Sequence, residues 1–356
     1  MIIYLDSIIF ELQTAGGISS YWYELVSRFI QSEHKVFLIK GGSWKRNILG
    51  REFNSEIEHL SFEIPIPLFL RRYLSPKCRM SDEALFHSSY YRTPTKSLVT
   101  SVVTVHDFVY EYYRSGLPKI IHSFQKRRAI KKARGIICVS KNTKRDLLKL
   151  YPELRKKKIV VIYNGISDKF FPIKGLKENK NRSPSKSILY VGSRLKYKNF
   201  KLAVETVKQL PEFELVVVGG GDLKKDEKRL LEKALAGRYR FMGYVSSSYL
   251  NTLYNLSFCL LYPSGYEGFG IPIGEAMKAG CPVVTAKSSA IPEVCGEAGI
   301  MINSISPEAF ASAIMSLKNR EYRKFIIEKG LKQAEKFSWD KCFQETLKFY
   351  SYISAN

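Results

Sequence analysis

A chain of 356 residues, 45% apolar and 13% aromatic, can bury two sizeable cores, and two domains are expected. No run approaches the roughly 20 uninterrupted apolar residues of a membrane span, and the stretch from Met1 to Asp6 reads as a strand rather than a signal peptide, so a cytoplasmic protein is expected. The formal charge of +24 calls for an anionic partner or surface, and six cysteines without a C-x-x-C pair read as buried thiols rather than disulfides or zinc ligands, so no metal is expected.

In chain order, apolar runs predict strands at 1–5, 35–40, 101–105, 135–139 and 158–162, with helical spacing over 18–31, 119–133 and 141–150. That alternation predicts a parallel sheet with helices on both faces. Basic residues gather here: residues 1–184 hold 33 Lys/Arg against 16 Asp/Glu. The runs "KRRAIKKAR" (126–134) and "LRKKK" (154–158) suit nucleic acid, anionic lipid or a plain solvated helix face. The polar stretch 174–187 reads as a linker, and then the rhythm restarts. Five further strands are predicted in "SILYVGS", "FELVVVGGGD", "YRFMGYV", "FCLLYPS" and "CPVVTA", with helices near 199–209, 224–236, 246–255 and 272–279. The expected fold class is α/β, with two doubly wound domains over 1–173 and 188–336. An amphipathic helix in 337–356 is expected to return to the first domain.

Such sheets bind ligands at the carboxyl ends of their strands, so the chemistry is sought in those loops. Gly16 and Gly17 follow the first strand and let backbone approach a phosphate or sugar, or simply make a tight turn. His106 ends an apolar strand beside Asp107, where an imidazole can donate to a substrate hydroxyl or serve a structural role. Arg194 and Lys198, four apart in "YVGSRLKYKNF", suit a diphosphate leaving group or are two surface cations. "VVVGGGDLKK" lacks the last glycine of a dinucleotide fingerprint and reads as a turn. In "YEGFGIPIGEAMKAGCP", Gly268, Phe269, Gly270 and Ile271 precede a helix expected to start at Pro272, which offers amides and a positive dipole end to an anion. Glu267 and Glu275 flank that turn and must serve something other than the anion's charge, or else only favour the helix dipole. Ser288, Ser289 and Glu293 can line a nucleotide pocket or belong to an ordinary loop.

The set "AGGI", "VHD", "VSKNTKRDL", "VIYNGISDKFFP", "VGSRLKYKN", "YPSGYEGFGIPIGEAMKAGCPVV" and "IPEV" resembles the retaining glycosyltransferases of family 4, over nearly the whole chain. The resemblance implies a GT-B fold, with two facing Rossmann-like domains, a nucleotide-sugar donor held mainly by the second and an acceptor by the first. It places the E-x7-E pair on Glu267 and Glu275, the cationic pair on Arg194 and Lys198, the glycine loop on Gly16 and Gly17, and the histidine on His106. Among such enzymes the match is to builders of bacterial surface polysaccharide, commonly using GDP-mannose, with UDP- and dTDP-sugars open. Within that reading Glu275 is assigned to the ribose and Glu267 to the transferred sugar. No D-x-D motif is present, so Arg194, Lys198 and the amides from Gly268 to Ile271 are expected to replace a metal ion. A retaining glycosidase also uses two carboxylates but needs no diphosphate clamp. A nucleic-acid-binding protein would explain the basicity, yet nothing matches a recognised nucleic-acid module. A polyprenyl-linked acceptor would favour peripheral contact with the inner membrane face. There "IPIPLFLRRYLSPKCRM" (64–80) would set Arg71, Arg72, Lys77 and Arg79 against lipid phosphates and Leu68, Phe69 and Leu70 near the interface. The alternative buries Phe69 and Leu70 in the first domain's core.

Overall fold

The computed structural model describes residues 1–53, 60–64, 66–96, 99–175 and 186–355. The chain divides into two compact units, Met1–Gly165 with Trp339–Asn356, and Ile166–Ser338. The first is built on a sheet of seven parallel strands: β1 (Ile2–Asp6), β2 (Lys35–Lys40), β3 (Leu60–Phe62), β4 (Leu85–Ser88), β5 (Thr100–Val105), β6 (Gly135–Cys138) and β7 (Lys158–Val161), in the order β3-β2-β1-β4-β5-β6-β7. The second has six, β8 (Ser187–Val191), β9 (Glu214–Val218), β10 (Tyr239–Gly243), β11 (Cys259–Tyr262), β12 (Val283–Ala286) and β13 (Ile300–Ile302), ordered β10-β9-β8-β11-β12-β13. Every pairing in both is parallel.

Parallel strands buried on both faces must be apolar throughout, and "GIIC" and "CLLY" are wholly buried for that reason. Helices with one apolar stripe cover them. Gly17–Ile30 buries Tyr21, Trp22, Leu25, Val26 and Phe29. The helix Trp339–Ala355 adds Phe343, Phe349, Tyr350 and Ile353 to the same core, returning to the first unit as the sequence implies. In the second unit Ala203, Val204 and Val207 of Phe200–Lys208 pack with Leu231, Leu235, Phe310 and Ile314.

Three strands, two long helices and four helices of only four or five residues go beyond the sequence reading. β3, β4 and β13 have only three or four residues each, too few for a periodic signal. The helices Pro307–Ser316 and Arg320–Ala334 begin at Ser306 and Asn319, whose side chains accept from Ala309 and Tyr322 amides. The break between units also falls earlier than residue 173. The Ile166 amide donates to Phe337 carbonyl at 3.0 Å, and Phe171 and Ile173 amides donate to Asn251 and Asn255 side chains. These bonds fix 166–173 in the second unit. Most of the linker expected at 174–187, residues 176–185, lies outside the described residues.

Two expectations about 64–80 are corrected. Arg71 is buried, with its guanidinium on the Gly41 carbonyl and the Glu11 carboxylate, so it is unavailable to lipid phosphates. Phe69 and Leu70, 69% and 49% exposed, are not core residues. Lys126, within the basic run at 126–134, is also buried. It pairs with Glu111 at 2.8 Å and donates to the Asp107 carbonyl at 2.9 Å.

Candidate active site

In a doubly wound sheet the loops part where the strand order reverses, and a crevice opens at the carboxyl ends of the two central strands. In the second unit that point lies between β8 and β11. The loop after β8 ends in a single 3-10 turn, Lys196–Lys198, and in Asn199, which is left-handed at φ +51°. Asn199 side-chain N–H donates to Pro263 carbonyl at 2.9 Å, and Gly265 N–H to Tyr197 carbonyl at 2.7 Å, so the loops after β8 and β11 are tied together.

Across this tie Lys198 Nζ meets Glu267 Oε1 at 2.5 Å and Tyr262 hydroxyl at 3.1 Å. Both charges are shielded, with side chains only 13% and 10% exposed. Tyr262, the last residue of β11, is buried, and burial together with the Glu267 charge pushes its phenol well above the ordinary value. It stays a neutral hydroxyl between the two charges. The Glu267 amide donates to Ser289 Oγ at 2.7 Å, and Ser289 is itself left-handed at φ +45°. A non-glycine residue in that region costs energy and tends to mark a functional loop. The sequence reading named Ser289 but missed Tyr262, whose one signal was a polar-tipped aromatic at the end of a buried strand.

The helix after Glu267 runs from Ile271 to Lys278, one residue earlier than expected, with Pro272 in its first turn. Gly270 caps it at φ +98°, a conformation a side chain would strain, and no side-chain group caps its amides. Phe269 is buried edge-on against Phe337, with ring centroids 5.4 Å apart, which anchors the turn. With the helix starting at Ile271, Glu275 is its fifth residue, one position further in than a start at Pro272 implies. Tyr254 hydroxyl donates to its Oε2 at 3.0 Å, and burial pushes its carboxyl up to about 7.

Arg194 does not join Lys198. Its Nε donates to Glu227 at 2.8 Å, and Nη1 and Nη2 donate to the carbonyls of Gly219, Gly220, Gly221 and Asp222. The three glycines, at φ +85°, +77° and +69°, turn their carbonyls toward it. Arg194 is thus held by the glycine turn and Glu227, and Lys198 by Glu267 and Tyr262, from a segment that is a loop and one 3-10 turn rather than a helix.

In the first unit, Gly16 caps the helix Gly17–Ile30 and its carbonyl accepts from Ser19 and Ser20. His106 follows β5, edge-on to Tyr21 with centroids 4.9 Å apart. Burial, with Lys126 adding, pushes its imidazole down to about 3, so it is neutral at physiological pH. Beneath it Tyr21 hydroxyl meets Thr104 Oγ1 at 3.0 Å, and Thr104 meets His87 Nε2 at 2.9 Å. His87 Nδ1 bonds Tyr350 hydroxyl.

Family models match both halves of the chain. Residues 15–170 match the model of Glycosyltransferase Family 4, and residues 173–333 that of Glycosyl transferases group 1. O-antigen chain mannosyltransferase B of Escherichia coli is 27% identical over 95% of this chain and 96% of its own. An O-antigen chain mannosyltransferase of Salmonella typhimurium is 29% identical over 67% of this chain and 66% of its own. The crystal structure of HepE from Anabaena in complex with UDP superposes with a TM-score of 0.76 at 16% identity, covering 99% of each chain.

Proposed function

Because the chain belongs to the glycosyltransferases, with a family 4 amino-terminal half and a group 1 carboxyl-terminal half, we propose that it moves a hexosyl unit from a nucleotide sugar to a glycan or polyprenyl-linked glycan in bacterial surface-polysaccharide synthesis. GDP-mannose is the favoured donor, on the strength of the two mannosyltransferases it is similar to. The observation that carries the reading is the shielded Lys198–Glu267 pair at the β8/β11 crevice, directly before an uncapped helix start.

In this proposal the donor diphosphate lies at the amides of Gly268 to Ile271, and Lys198 exchanges Glu267 for the diphosphate, neutralising the leaving group. Glu267, released from Lys198, binds sugar hydroxyls and stabilises the positive charge that develops at the anomeric carbon, with retention of configuration. Glu275 keeps Oε2 on Tyr254 and offers Oε1 to the ribose hydroxyls. His106, neutral, donates to a hydroxyl of the transferred sugar. No metal ion is required.

The test is a thermal-shift panel of GDP-, UDP- and dTDP-sugars, followed by kinetics with the stabilising donor in EDTA. GDP-mannose gives the largest shift, and turnover survives chelation. Lys198→Ala loses about 2–4 kcal/mol of transition-state stabilisation, the size found for one preorganised charge-stabilising group. Glu267→Gln and His106→Ala lower kcat while nucleoside diphosphate still binds, whereas Glu275→Gln chiefly weakens donor and nucleoside diphosphate binding. Loss of nucleoside diphosphate binding in Glu267→Gln with Glu275→Gln unaffected reverses the two assignments. Stabilisation by no nucleotide sugar overturns the reading.

A further inference from the structure

Lys126 differs from the rest of the basic run 126–134 in having no exposed surface at all. It points inward from the helix Gly116–Lys132, while its neighbours Arg127 and Arg128 stay exposed. A charge taken out of water is costly unless it is paired and hydrogen-bonded, and even a well-made buried pair seldom stabilises a fold more than apolar residues of the same volume would. Such a pair is explained by what it holds.

Here it holds the segment after β5. Lys126 Nζ donates to the Asp107 carbonyl at 2.9 Å and to Glu111 Oε2 at 2.8 Å, and it lies 4.6 Å from the Phe108 ring centroid and 5.4 Å from that of Tyr91. Asp107 Oδ1 in turn accepts from the Val109 amide at 3.0 Å. One ammonium thus ties the residue directly after His106 to the short helix Val109–Tyr113, with Phe108 wholly buried between them. Tyr91 is buried and left-handed at φ +58°, a strained setting for a bulky side chain, and its hydroxyl is turned to the His106 backbone. His106 keeps part of its surface exposed, as a group that meets a substrate must.

We propose that Lys126 is a positioning residue for glycosyl transfer: by gripping the Asp107 carbonyl and the Glu111 carboxylate it fixes the backbone from which His106 projects, and so aims the imidazole. This rests on the reading that His106 donates to a hydroxyl of the transferred sugar, and adds the group that holds the imidazole in place. Such a hydrogen bond has to be preorganised, because a misplacement of about 1 Å costs roughly a hundredfold in rate. The charge serves a second end. Burial, with the Lys126 cation adding, keeps His106 a neutral imidazole, and a neutral ring sets no further positive charge beside an anomeric carbon that is becoming positive. Tyr21 and His87, which face it from the helix Gly17–Ile30 and from β4, are neutral as well.

The test removes both charges at once in the full chain, Lys126→Met with Glu111→Leu, so that neither is left buried without its partner. This paired variant keeps the wild-type circular dichroism and unfolding midpoint. In hydrogen–deuterium exchange read by mass spectrometry, its peptides covering 106–111 exchange at least tenfold faster, whereas those of the sheet core do not change. Glu111→Gln, a milder change at the same grip, raises exchange over 106–111 at least threefold. With saturating GDP-mannose and release of GDP as the readout, kcat of the paired variant falls at least tenfold while KM stays within about threefold of wild type. In a His106→Ala chain the same two substitutions lower kcat less than twofold, since a residue that acts through His106 has nothing left to aim. An equal loss of kcat in the two backgrounds overturns the proposal and makes Lys126 a structural residue. Unchanged exchange over 106–111, which is read without any nucleotide sugar, overturns it as well. Faster exchange there, with no nucleotide sugar turned over even by the wild type, upholds the grip on the loop and overturns the reading of the activity.

Discussion

Arg194 donates from all three of its nitrogens to protein acceptors and is 3% exposed in its side chain. Removing it strands Glu227 and four carbonyls of the glycine turn, so Arg194→Ala is expected to cost about 3 kcal/mol in urea unfolding of the second unit. Lys198→Ala strands one carboxylate and one tyrosine hydroxyl and is expected to cost less stability, and equal losses in the two variants would contradict the division of labour. Histidine gives the pH dependence. Burial holds His87, His106 and His122 near 3, against an ordinary 6.5. The unfolded chain therefore takes up these protons first, and stability present above about pH 6.5 is lost as pH falls toward 3. Glu275, pushed up to about 7, acts in the opposite sense between about 4.5 and 7, and Asp6 and Glu11, whose carboxyls burial also raises, act with it. The contribution of one histidine is isolated by His87→Gln, which should remove about 1.4 kcal/mol per pH unit of the loss of stability on acidification between about pH 6.5 and 4.5 in urea unfolding. A variant with the wild-type slope places the proton elsewhere. At this scale Lys198 and Glu267 were legible because glycines and proline announced the turn between strand and helix. The fate of Arg194 was not, because nothing local tells a loop cation which carbonyls it will find.

Elements were legible in proportion to their length and apolar continuity. β1, β2, β5, β8 and β9 are five- or six-residue runs in which burial on both faces dictates the composition. β4, "LFHS", looks polar in sequence because its histidine is satisfied by partners 17 and 263 residues away, Thr104 and Tyr350. Such a strand is intelligible only after the fold has supplied the partners. The terminal helix shows the reverse case, since its amphipathic stripe was plain while its fit depends on two glycines. A methyl group at Gly135 would meet Phe349 at 2.8 Å, and one at Gly165 would run into the backbone nitrogen of Trp339. Gly165→Ala should therefore destabilise the first unit by about 1–3 kcal/mol as judged by denaturant unfolding. Wild-type stability in that variant would show that the helix start can shift at no cost.

At the scale of the molecule, the sequence showed two restarts of one α/β rhythm, and the structure shows two sheets with the same order of winding. The return of the terminal helix, expected from its amphipathic stripe, makes the first unit discontinuous. Its core closes only with Trp339, Phe343, Phe349, Tyr350 and Ile353, whereas the second unit is one unbroken stretch from Ile166 to Ser338. Domains fold as their residues leave the ribosome. The first unit to emerge thus has to wait for residues made more than 170 positions later, and the unit made second is the first that can finish. Chains stalled on the ribosome with residues 1–338 exposed should show protease resistance confined to the second unit, and early protection of residues 1–165 would refute that order. During that interval β4 keeps His87 without Tyr350, and the apolar cleft meant for the last helix stays open to water. The amino-terminal half is then a client for chaperones until the last helix is released to close it.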